Sequence, residues 1–266
     1  MTTDIDFVSH IRAESARFLD ALRPAPSGSR VPTCPDWDVE DLLWHLTEVQ
    51  WFWGEIVRKR LTESADVDAL DLPRPDGRDQ LLHQFEASSA ALADVLESTP
   101  ADTKAWTWAE EQTVGFIRRR QAHEALIHRV DAEVTVEHRT PLDTKLCTDG
   151  VDEALKVMYG GLPSWGRFVP DDGQSVRFEA TDAKTTWLVL IGRFSGTDPG
   201  DDKTYDEPDI NCAAFDNGGQ TAATIRATAA DLNCWLWHRP TFEPVELEGN
   251  SETHRQLARI ISVGIN

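Results

Sequence analysis

Glu124 and His128, within RRRQAHEALIHRVDAE (Arg118–Glu133), are the residues whose types and spacing most directly suggest chemistry. On a helix, at about 100° per residue, positions four apart stack on one face. Asp131 falls on the same stripe, so two carboxylates and an imidazole share an arc of roughly 60°. Leu126, Val130 and Val134 form a separate apolar stripe; His123 falls within it and Ile127 lies between the two. Imidazole and carboxylate are ligands suited to Zn²⁺, and less selectively to Fe²⁺, Ni²⁺ or Mn²⁺.

A bundle commonly builds a metal site from two ligands on one helix and one on a neighbour. His45, at the edge of an apolar stripe in an earlier helical segment, is the candidate third ligand. Three protein ligands leave a coordination position open, as in catalytic rather than structural zinc. The zinc-protease HExxH pattern is absent: His128 follows His123 by five positions, about 500° of turn, so His123 reads as a packing or supporting residue. The same residues also fit plainer roles. A Glu–His pair four apart is common on helix surfaces, His45 alone fits a hydrogen-bonded core histidine, and periodicity does not bring the two helices together.

Helical periodicity extends over about residues 4–23, Trp37–Arg60, 76–97 and from Gln112 or Thr113 through the Glu124 stripe. Asp36 is the expected N-cap of the second segment. Four such segments of about 20 residues suggest an up-and-down four-helix bundle. Beyond residue 140 the pattern changes. A short helix is expected around Gly150–Met158, strands at Ser175–Ala180, Thr185–Gly192 and Ala223–Ala227, and a helix at Ala229–Trp237. A short strand at Val245–Leu247 and a closing helix at Glu252–Val263 complete the pattern. The acidic, turn-rich GTDPGDDKTYDEPDIN segment reads as a solvated loop. The fold class is therefore α+β, with a helical domain over 1–140 and a smaller α/β domain over 149–266.

The chain has 266 residues, 40% hydrophobic, with ten tryptophans and a formal charge of −20. That charge argues against nucleic acid and against an anionic membrane surface as partners. Four widely spaced cysteines fit neither a disulfide scaffold nor a cysteine-based zinc ribbon. No apolar run approaches bilayer length, and MTTDIDFVSHIRAES lacks the marks of a signal peptide, so a cytoplasmic location is the expectation.

VPTCPDWDVEDLLWHL (Val31–Leu46), followed about 75 residues later by RRRQAHEALIHRVDAE, resembles the N-terminal signature of the mycothiol-dependent maleylpyruvate isomerase family. IRATAADLNCWLWHRP…VELEGN (Ile225–Asn250) resembles that family's second domain. The resemblance implies a DinB-like metal-binding four-helix bundle followed by a sterol-carrier-like domain. It also implies divalent-metal ligands at His45, Glu124 and His128, with Asp131 orienting a ligand or capping the site. Cys34 and Trp37 match its CPxW element, read as loop structure and helix entry. Arg239 matches an arginine suited to gripping a substrate carboxylate, and Arg118, Arg119 and Arg120 are further candidate cations.

The implied chemistry uses zinc, with mycothiol as the thiol cosubstrate and a small electrophile as its partner. The outcome is isomerisation about a double bond or S-conjugation. Two alternatives use the same scaffold: a metalloenzyme employing metal-bound water or oxygen, and a non-catalytic metal-binding or regulatory module. A monomer or homodimer is expected.

Overall fold

Asp6, Asp38 and Thr113 each accept a backbone N–H within the following turn, which sets where three of the long helices begin. The computed structural model describes residues 5–262 apart from 215 and 217. Contacts divide the chain into two compact units, Met1–Pro141 and Leu142–Asn266. The N-terminal unit contains α1 (Phe7–Leu22), α2 (Val39–Lys59), the single turn α3 (Ser64–Val67), α4 (Arg78–Ser98) and α5 (Val114–Thr135).

Asp38, not Asp36, caps α2. Its Oδ1 accepts from the amides of Glu40 and Asp41, while Asp41 accepts from the Asp38 amide. Asp36 is held earlier, inside the turn closed by the Trp37 amide on the Cys34 carbonyl, and so cannot reach the first helical turn. The core joins Phe18 and Leu22 of α1 to Leu42 and Leu46 of α2 and to Leu81 and Phe85 of α4. The Phe18 and Phe85 rings lie 5.0 Å apart. Burying each such side chain contributes about 1.5–3 kcal/mol.

The four long helices form a bundle as expected, but their contacts give directions that do not alternate in the expected up-and-down order. Glu40 pairs with Arg78, and Gly54 packs against Leu92, so α2 and α4 run parallel. Glu14 pairs with Arg129, and Phe7 meets His123, so α1 and α5 also run parallel. Arg12 reaches Asp94 and Arg23 reaches Glu86, which makes α1 antiparallel to α4. The order is up, down, down, up. The connection between α2 and α4, which carries α3, crosses the length of the bundle.

In the C-terminal unit α6 (Thr144–Glu153) continues as a π-helical turn (Ala154–Met158). There follow β1 (Gly166–Ala180), β2 (Thr185–Thr197), β3 (Thr204–Cys212), β4 (Ala223–Ala227), α7 (Ala229–Leu236), β5 (Glu246–Gly249) and α8 (Ser251–Ile261). The sheet order is β3-β2-β1-β4-β5, with β1 and β4 parallel and the other neighbours antiparallel. The expected α+β class is observed.

Two readings of this unit change. The first two strands form a longer hairpin than their alternating cores suggest, with an irregularity between Pro170 and Ser175. Gly192 sits opposite it, where a Cβ would come within 2.2 Å of the Val169 carbonyl oxygen. The acidic segment is also not all loop, because Thr204–Cys212 is strand β3 on β2. As an edge strand it tolerates exposed acids and Pro208, the features that made it read as loop.

Candidate metal centre

Every residue of α5 from Arg120 to Glu133 is buried except Glu124, which is partly covered. A helix with so little free surface holds its polar side chains in fixed surroundings. The Glu124 stripe meets α2 at His45, where Glu124 Oε1 lies 3.4 Å from His45 Nε2 and 3.0 Å from His128 Nε2. One ligand atom from each of the three residues lies within 4.8 Å of the others. The imidazoles of His45 and His128 stand edge-on at 4.7 Å between centroids and 74° between planes.

Each candidate ligand on α5 has its own support. The Asp131 carboxylate, fully buried, lies 2.9 Å from His128 Nδ1 and so directs Nε2 toward Glu124 and His45. Arg120 Nη2 donates to Glu124 Oε2 at 2.8 Å, leaving Oε1 turned to the histidines. Burial works against the charged form of Glu124, but hydrogen bonds from His128 and His45 and the charge of Arg120 hold it well below the usual carboxylate range. Burial likewise opposes a charge on His128, yet Asp131 and Glu124 raise it to about 9.

Trp37 completes the surroundings. Its ring lies 4.8 Å from that of His45 and 6.3 Å from that of His128. Sequence reading placed Trp37 only at the helix entry. The CPDW motif was the available signal, but nothing in a loop sequence shows that an indole folds back over two imidazoles.

Other candidate residues fall elsewhere. His123 is buried beside Phe7, with ring centroids 6.1 Å apart. Arg118 donates to the carbonyls of Leu96 and Thr99 at the end of α4, where it closes a helix terminus instead of facing a substrate. Arg119 lies about 140° round α5 from Glu124, and Arg120 is committed to Glu124. Arg239 belongs to the C-terminal unit, and its Nη1 donates to the Trp237 carbonyl at 2.7 Å.

Two imidazoles and one carboxylate match the donor set of a catalytic zinc site. With bonds of roughly 2.1 Å, ligand atoms of a tetrahedral centre stand about 3.4 Å apart. The 3.0 and 3.4 Å separations around Glu124 Oε1 are close to that spacing. The residues fit a divalent metal.

Residues 8–133 match the family described as the mycothiol maleylpyruvate isomerase N-terminal domain, and residues 145–256 match the MDMPI C-terminal domain. Two solved structures share the fold. One is the mycothiol-dependent maleylpyruvate isomerase, at 13% identity, and the other a histidine-to-alanine mutant of it, at 12%. Each superposes with a TM-score of 0.58 over 93% of this chain and 96% of that one. No curated protein matches the chain. With both domain families matched in order along nearly the whole sequence, the chain belongs to the mycothiol-dependent maleylpyruvate isomerase family.

Proposed function

We propose that this protein is a metal-dependent enzyme in which a low-molecular-weight thiol, mycothiol, attacks a small electrophile. The product is either a double-bond isomer or an S-conjugate. The observation that carries this reading is the convergence of His45, Glu124 and His128 from two helices, with Asp131 behind His128. These three residues would hold the metal, with zinc the best match to the donors. When bound there, the metal would supply thiol activation, keeping a thiol of ordinary pKa about 8.5 as thiolate at neutral pH.

The chain's own groups do the rest. Asp131 accepts the Nδ1 proton of His128 and fixes the tautomer whose Nε2 lone pair points into the site. Arg120 keeps the Glu124 carboxylate from rotating away. Trp37 lies tilted beside His45, with His128 further off, and limits water on that side. Arg239 is proposed to recognise a substrate carboxylate through its planar fork of donors. The protein is proposed to act in the cytoplasm, as a monomer or homodimer; no described helix is long and apolar enough to cross a membrane.

Metal analysis of the purified protein, combined with thiol consumption in the presence of a generic electrophile, tests the proposal. Near-stoichiometric zinc and metal-dependent conjugation are expected, with both lost in His45→Ala. A protein that carries no metal after careful purification, and gains no activity on adding zinc, would sink it.

A further inference from the structure

Of the three candidate ligands His45 is the most open, its side chain 31% exposed against 17% for Glu124 and 9% for His128. The α2 side is therefore the way a ligand reaches the centre. His45, Val49 and Phe52 stand at i, i+4 and i+7 on that helix, within an arc of roughly 60°. All three are partly exposed. Phe52 lies about 10 Å further along the helix axis than His45, a distance that a small aromatic molecule spans together with the side chains at each end.

Phe52 sits in a fixed aromatic frame. The Trp106 amide donates to the Leu61 carbonyl just past the end of α2, which brings its indole against the helix. That indole stacks on Trp53, with centroids 6.1 Å apart and 23° between planes, and meets Phe52 nearly perpendicularly at 6.4 Å. Trp53 is buried, whereas Phe52 and Trp106 keep part of their surface open. A further ring joining such a cluster gains more than its buried area alone supplies. Charge points the same way. Helix α2 has no Lys or Arg before Arg58, and Glu48 is exposed at the edge of the strip. This surface suits a neutral ring and not an anion.

We propose that Phe52 and Trp106 form a subsite for an uncharged aromatic group carried by the electrophile, and so set substrate preference. This rests on the thiol-dependent reading above. A carboxylate held by Arg239 is then a separate group of the same molecule. Benzyl iodide is a simple probe: the thiolate sulfur forms a C–S bond at the benzylic carbon, and iodide leaves with the C–I electron pair. Methyl iodide undergoes the same displacement with no ring to hold.

After the uncatalysed rates are divided out, wild type should prefer benzyl iodide to methyl iodide in kcat/KM. Phe52→Ala should lower that preference about tenfold. Phe52→Leu, which keeps apolar bulk without a ring, should fall between the two. An unchanged preference in Phe52→Ala, or a wild-type preference in Phe52→Leu, overturns the proposal.

A second readout needs neither metal nor turnover. Benzyl alcohol titrated into the metal-free protein should move the indole N–H resonance of Trp106 in NMR spectra, a resonance identified by its loss in Trp106→Phe. The movement should weaken in Phe52→Ala. A resonance that stays fixed throughout the titration, or moves identically in the variant, overturns the subsite. If the wild type alkylates no thiol with either iodide, the proposed function fails, and the benzyl alcohol titration still decides the subsite.

Discussion

The most deeply buried ion pairs of the N-terminal unit contrast with the solvent-exposed pairs on the sheet of the C-terminal unit. In the N-terminal unit Arg129 is wholly buried, with Nη1 2.5 Å from Glu14 and Nε 2.8 Å from Glu133. It also donates to the carbonyls of Thr140 and Pro141. On another face of the same helix, Arg120, Glu124, His128 and Asp131 form a second covered chain of charge. In the C-terminal unit Arg193 and Asp206 pair across exposed strands, and Arg226 meets Glu246 and Glu248 where both acids are open to solvent. Arg177 with Asp216 is more covered, and Glu153 and Asp231 are buried carboxylates of this unit.

Buried charges are costly to desolvate, and their mutual attraction offsets this only when the geometry is good. Two such groups on one helix therefore point to a demand for position. One set orients the candidate ligands, while the other ties α5 to α1 and to the end of its own unit. The exposed pairs of the sheet carry no such demand, and serve mainly solubility in a chain of charge −20.

The contrast predicts a graded series of effects. Arg129→Met leaves two buried carboxylates facing each other and should cost about 3–5 kcal/mol in denaturant unfolding. A loss below 1 kcal/mol would erase the distinction between the units. The pH dependence of the metal-free protein comes next. His128 is raised from its ordinary 6.5 to about 9 by Asp131 and Glu124, so the native state holds its proton more tightly than the unfolded chain. That contribution is complete below about pH 6.5 and disappears as pH climbs through 9. Unfolding of metal-free protein at pH 6 and pH 9.5 should differ by about 3 kcal/mol, the acidic sample being the more stable. His128→Gln should flatten the difference.

Asp131→Asn removes the carboxylate behind His128 while preserving shape. Zinc affinity, measured by competition with a chelator, should fall about 10–100-fold. An unchanged affinity would reduce Asp131 to packing. Arg193→Ala, in the exposed strand pair, should change stability by no more than about 1 kcal/mol. A larger cost would show that the sheet's charges also hold structure.

The sequence was most readable where one helix carried the information. Glu124, His128 and Asp131 share a face because helix geometry puts them there, and His123 was separable by the same arithmetic. His45 came from periodicity only as a candidate, since contact between two helices has no local signature, and the resemblance supplied the pairing. The arginines were harder. Arg118, Arg120 and Arg129 are alike in sequence, yet one closes α4, one steadies Glu124 and one is buried among glutamates. Trp37 and β3 were missed for related reasons: loop conformation decides the first, and pairing with β2 overrides poor local propensity in the second.

The direction of the helices also bears on how this molecule is made. Successive helices in a simple bundle can zip together as neighbouring hairpins. Here the Arg78–Glu40 pair joins residues 38 apart and the Arg129–Glu14 pair joins residues 115 apart. Closing such loops carries an entropic cost that contacts repay only after the ends have met. The candidate ligand on α2 and those on α5 are about 80 residues apart. No single helix or adjacent helical hairpin of the nascent chain contains all three.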